Sequence, residues 1–138
     1  MTVNKLLIVD DDQGLLKGLK RNLCMHLKVD IANSGPEGIE KLTSTPFSVV
    51  ISDMQMPGMN GVDFIQKARA ISPDTTFMML TGNQDLETEV KASAVGRVFR
   101  FLHKPCDVLS IRNAVSLAQD HYESNRASKS VSGLETAL

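Results

Sequence analysis

A chain of 138 residues, 42% hydrophobic and 22% charged, has the composition of one globular domain that buries roughly two-thirds of its unfolded surface. Its formal net charge of −1 argues against a dedicated nucleic-acid binder, and no apolar run reaches membrane-spanning length. A strand pattern starts within a few residues of Met1, leaving no room for a signal peptide; Cys24 and Cys106 lack metal-ligand spacing and fit a reducing cytoplasm.

Lys5-Leu-Leu-Ile-Val9 reads as a first strand that ends abruptly in Asp10-Asp11-Asp12. Leu15, Leu19, Leu23 and Leu27, with Leu16 beside them, recur at helical spacing and predict an amphipathic helix. Asp12 is placed to cap it, and Cys24 reads as a buried thiol on it. Val29–Ala32 makes a short second strand. Ser34, Pro36 and Glu37 then carry a helix start, and the helix runs through Ile39 and Leu42.

Val49-Val50-Ile51 does not alternate with polar residues, so it reads as a strand buried on both faces and ending at Asp53. Met54-Gln-Met-Pro-Gly-Met-Asn-Gly61 turns the chain sharply, with Pro57 fixing one φ. A third helix runs from about Val62 to Ile71, where Ser72-Pro73 stops it. Thr76–Leu80 is a fourth strand ending at Thr81-Gly82. A helix over about Asp85–Ala94 has few apolar anchors, chiefly Leu86 and Val90. Val98–Leu102 is a fifth strand ending at His103-Lys104-Pro105.

The final helix opens near Asp107, a fitting N-cap, with Val108, Ile111, Val115, Ala118 and Tyr122 on one stripe. Past Tyr122 the periodicity is lost. Residues 1–122 thus read as the folded domain, and 123–138 as a helix extension or linker tail. Strand and helix alternate five times with short connections, which implies a parallel sheet covered by helices on both faces.

In such sheets ligands bind beyond the carboxyl ends of the strands. Four of those ends carry Asp10-Asp11-Asp12, Asp53, Thr81 and Lys104-Pro105. Crowded carboxylates repel one another, and Mg²⁺, which favours oxygen ligands and retained waters, relieves the repulsion. An added ammonium and hydroxyl suit the oxygens of a transferring phosphoryl group.

On these residues the chain resembles the receiver domain of bacterial two-component response regulators. The likeness covers about residues 4–122: the Asp10-Asp11 pair after an apolar strand, Asp-x-x-Met-Pro-x-Met-x-Gly from Asp53, Thr81, and Lys104-Pro105. It implies a flavodoxin-like α/β fold, a doubly wound five-stranded parallel sheet in order 2-1-3-4-5 with five helices. It further implies that Asp53 accepts a phosphoryl group from a sensor histidine kinase or phosphotransfer protein. Asp11, Asp53 and the Gln55 backbone carbonyl would ligate Mg²⁺, with Asp10 acting through bound water. Lys104 would pair with phosphoryl oxygens ahead of a cis Pro105, Thr81 and Phe101 would form a switch pair, and Gln55 and Asn83 would tune dephosphorylation.

The surface made by the 85–94 helix, the fifth strand and the final helix would then control an output, either a C-terminal effector domain or a separate protein, or form a homodimer. Chemistry beyond the domain's own phosphorylation and dephosphorylation is not implied, nor is contact with membrane or nucleic acid. Gly82 stands where Ala is usual, which opens access to the phosphoryl group. Phe101 replaces the commonest tyrosine, and Cys106 a frequent aromatic. Two rival readings explain fewer residues. One is a small haloacid-dehalogenase-like phosphatase with Asp10 as nucleophile and Asp12 as general acid, which leaves the Asp53 turn unexplained. The other is a receiver-fold binding module that takes no phosphate.

Overall fold

A computed structural model describes residues 4–25, 27–82 and 98–137, the stretch from 128 onward by its backbone alone. The elements are β1 (Lys5–Val9), α1 (Gln13–Leu23), β2 (Lys28–Ala32), α2 (Gly35–Ser44), β3 (Val49–Asp53), α3 (Gly61–Ile71), β4 (Thr76–Thr81), β5 (Arg100–His103) and α4 (Val108–Ala137). All strand pairs are parallel, and the sheet order is β2-β1-β3-β4-β5. The helix expected at 85–94 lies outside the described residues, as does Asn83.

Strand alternation divides the core into two layers. Leu6, Ile8, Val49, Ile51, Met78 and Leu80 face α1 and α4, where Leu16, Leu19, Leu23, Ile111, Val115 and Ala118 cover them. Leu7, Val9, Val50, Phe77 and Met79 face Leu42, Phe64, Ile65 and Ala68 of α2 and α3. Because β3 is enclosed on both sides, all five of its residues are buried, Asp53 included. Continuing the same alternation, Asp10, Asp53 and Lys104 fall on the α1–α4 face, while Thr81 and Phe101 fall on the other.

Helix ends follow the expected chemistry with two corrections. Asp12 Oδ1 accepts from Leu15 N at 3.1 Å, Ser34 Oγ from Glu37 N at 3.2 Å, and Asp107 Oδ1 from Ser110 N at 2.7 Å. However, α1 stops at Leu23 and the chain turns, so the leucine spacing overruns the helix. Leu27 lies beyond it, partly buried, and Cys24 is exposed rather than buried, with its thiol 3.5 Å from Arg21 O. The β5 ladder begins at Arg100 instead of Val98. Phe99 still donates its N–H to Phe77 O at 2.8 Å but turns its ring onto His121.

Past Tyr122, α4 continues as helix to Ala137 despite its polar composition. No described helix is long and apolar enough to cross a membrane. In α1 a Cβ at Gly18 would meet nothing within 4 Å. Gly18→Ala is therefore expected to raise the urea unfolding free energy by roughly 0.5–1 kcal/mol through helix propensity alone.

Candidate functional site

Three strand ends meet at one edge of the sheet. β1 hands over to Asp10, whose N–H still pairs with Ala32 O at 3.1 Å and whose side chain is 1% exposed. Asp10 Oδ1 accepts from Asp12 N at 2.9 Å, which folds the acidic run back over the strand end. Asp53 closes β3 at 6% exposure, and the exposed Asp11 completes a triangle. One carboxylate oxygen from each of Asp10, Asp11 and Asp53 lies within 4.8 Å of the others.

Lys104 leaves β5 and reaches across the edge. Its Nζ lies 3.0 Å from Asp10 Oδ2 and 3.5 Å from Asp53 Oδ1. Its backbone N–H donates to Thr81 O at 2.7 Å, and the Lys104–Pro105 peptide bond is cis. Thr81 ends β4, buried, opposite His103 in the ladder. Half-buried Phe101 is diagonal to it on the same sheet face and packs on the α2–α3 layer. Gln55 is exposed, and its N–H points to Asp53 Oδ1 at 3.4 Å.

The turn after Asp53 is braced from inside. Met54 N donates to Leu80 O at 3.1 Å, and Gly61 N to Met54 O at 2.8 Å, while Met54 and Met56 sit in the core. Gly58 takes φ 80°, a conformation that a Cβ disfavours. Gly61 is a positioning residue that pattern reading missed: a Cβ there would collide with Asp53 O and lie 2.8 Å from Met54 Cα. Its signal is its place as the closing glycine of the Asp-x-x-Met-Pro-x-Met-x-Gly segment from Asp53.

The electrostatics are unbalanced toward negative charge. Burial, then the Asp10 carboxylate beside it, pushes the Asp53 carboxyl up to about 6 against the pull of Lys104 and the Gln55 N–H. For Lys104 burial opposes the charge, but Asp10 and then Asp53 outweigh it and hold the ammonium above its usual value. A carboxyl with a raised pKa favours the fold while protonated. That contribution is complete below about pH 4 and lost as pH rises through about 6. In metal-free buffer Asp53→Asn should thus unfold with roughly 2–3 kcal/mol more free energy than wild type at pH 7. The two should converge near pH 4 in urea titrations.

A hard dication fits this donor set. Among the described residues three carboxylates converge with a single ammonium, and Asp10 Oδ2, although close to Lys104, accepts no well-directed hydrogen bond. Among the described residues, Asp10, Asp11 and Asp53 are the side chains able to hold the ion.

Comparison with known proteins agrees with this geometry. A family model for the response regulator receiver domain matches residues 6–116. The transcriptional regulatory protein YesN of Bacillus subtilis is 34% identical over 108 residues, which cover 75% of this chain and 29% of YesN. The DNA-binding transcriptional regulator NtrC of Escherichia coli is 30% identical over 125 residues, 90% of this chain and 26% of NtrC. The chain therefore spans about a quarter of the length of such relatives. A crystal structure described as adenylate cyclase from Rhodopirellula baltica superposes with TM-score 0.89 at 45% identity, covering 94% of this chain and 96% of that one. A CheY-like receiver domain protein from Methanospirillum hungatei gives 0.83 at 27% identity, covering 89% and 98%.

Proposed function

Because this chain belongs to the response regulator receiver domain family, we propose that Asp53 accepts a phosphoryl group from the phosphohistidine of a sensor histidine kinase or phosphotransfer protein. The observation that carries the reading is a buried strand-end carboxylate 3.5 Å from an ammonium and within one ion's reach of two further carboxylates. An Asp53 oxygen forms the new O–P bond as the donor's N–P bond breaks, and the imidazole leaves. Lys104 neutralises phosphoryl oxygen charge and keeps Asp10 in place. Asp11, Asp53 and the Gln55 backbone carbonyl would hold Mg²⁺, with Asp10 acting through water; the ion supplies positive charge against the phosphoryl oxygens.

The modification adds roughly −1.5 to −2 charge at the sheet edge. Thr81 moves toward that charge, and Phe101, on the same face, turns into the space it leaves. Phe101 has no hydroxyl, so it signals its state by packing alone. Gln55 and Asn83 tune the loss of phosphate. The shift biases a pre-existing equilibrium at the output surface, to which the resemblance assigns β5, α4 and the 85–94 segment that lies outside the described residues. A homodimer or an output partner reads that surface. Residues 1–122 form the receiver unit, and 123–138 extend it toward an output element, in the same chain or separate. Relatives are described as transcriptional regulators or, in one crystal structure, a cyclase. The domain itself contacts neither nucleic acid nor membrane and works in the cytoplasm. The phosphatase reading has little support, since Asp12 is engaged as the α1 cap and Asp10 is paired with Lys104.

Incubation with acetyl phosphate tests the proposal. Mass spectrometry should find one phosphoryl group per chain, mapped to Asp53, and none when Mg²⁺ is chelated. An unmodified chain in saturating donor and Mg²⁺, or a group mapped elsewhere, overturns it.

A further inference from the structure

The opposite end of the sheet holds a second concavity that phosphoryl chemistry at Asp53 does not use. A cavity of about 260 Å³ lies below the start of β4, its lining including Arg69 of α3, Thr75, Thr76, Phe99, and His121 and Asn125 of α4. Its volume equals about eight waters, enough for a small organic or inorganic ion.

The polar groups in this wall differ in how far they are already engaged. Thr75 is fully committed: its Oγ1 lies 2.5 Å from Ser72 Oγ and donates to Phe47 O at 2.6 Å. Thr76 is 3% exposed, and its buried hydroxyl has no hydrogen-bond partner. Among the described residues, neither the half-buried Arg69 guanidinium nor the Asn125 amide has a hydrogen bond or an ion pair. His121 rests its ring against Phe99 at a centroid distance of 4.8 Å and lines the cavity. Asp74, the nearest carboxylate in sequence to Arg69, has an interaction of its own and does not line the cavity.

A guanidinium fork without a hydrogen bond or ion pair among the described residues, an imidazole and an amide line a cavity that has no carboxylate in its wall, which makes a donor-rich receptor. We propose that this cavity is a binding site for a small oxyanion, a carboxylate or a phosphate, gripped by Arg69 with His121 and Asn125 at the rim. Phe77 and Phe99 complete the lining. A planar fork recognises two oxygens at once, which a lysine in the same place cannot reproduce.

The test is an amide NMR titration of the full chain in metal-free buffer with inorganic phosphate and, separately, malonate, against chloride at matched ionic strength. Saturable shifts are expected at Phe77, Phe99, His121 and Asn125, distinct from any at Asp10, Met54 and Lys104. Phosphate alone or malonate alone producing them identifies the preferred oxyanion and supports the site. Arg69→Gln should weaken binding about tenfold, and Arg69→Lys should recover part of the loss; the spectra themselves report whether each variant is folded. Shifts that chloride reproduces, that fail to saturate, or that persist unchanged in folded Arg69→Gln overturn the proposal.

Discussion

Asp53→Asn is expected to abolish covalent phosphorylation, lowering incorporation of label from acetyl phosphate by at least about a thousandfold. The amide matches the carboxylate in shape and still offers Oδ1 to the Gln55 N–H, so the fold has no reason to change. What disappears is the nucleophilic oxygen and one of three carboxylates that converge within 4.8 Å. Buried beside Asp10, the native carboxylate costs stability at neutral pH, so the variant should lose its chemistry while resisting urea better. Label retained at wild-type level in the variant would move the acceptor elsewhere, with Asp10 next in line.

Gly61→Ala is expected to be the most damaging single methyl in the described chain. The added Cβ would strike Asp53 O and crowd Met54 Cα, both backbone atoms of the strand end that presents the carboxylate. Backbone cannot swing aside like a flexible side chain, so either α3 lifts or the end of β3 bends. A loss of about 3 kcal/mol or more in urea unfolding should result, together with slower phosphorylation of whatever remains folded. Gly58→Ala separates crowding from conformational strain: it has open space around it but a φ of 80°, and should cost only about 1 kcal/mol. If Gly61→Ala proves no worse than Gly58→Ala, the close approach is not what positions Asp53.

Strand ends were the most readable part of the chain, because an apolar run that stops on a charge leaves few alternatives. The edge formed by Asp10, Asp53 and Lys104 follows from alternation along three such runs. The stripe Val108, Ile111, Val115, Ala118 and Tyr122 reported α4 equally well, since all but the partly buried Val108 are buried. The end of α1 was hidden. Leu27 continues the spacing, and the C-cap is Cys24 in ordinary right-handed geometry, with no glycine to announce a stop. The closeness of Gly61 to Asp53 O was hidden too, because a missing side chain says nothing about what fills its place. The cavity at Arg69 draws its walls from α3, the loop before β4, and α4, so no local pattern marks it.

The length of α4 bears on how a small event at the sheet edge becomes legible to anything beyond it. Tyr122, buried at 3% exposure, is the last stripe residue seated in the core, and helix continues from there to Ala137. At 1.5 Å per residue that overhang is roughly 22 Å, and a tilt of about 10° at its base would carry the tip about 4 Å. Were the helix to tilt about Tyr122, the displacement at its tip would grow with the number of residues beyond that point. Shortening the overhang by one turn would reduce the stroke and rotate the direction in which it is delivered.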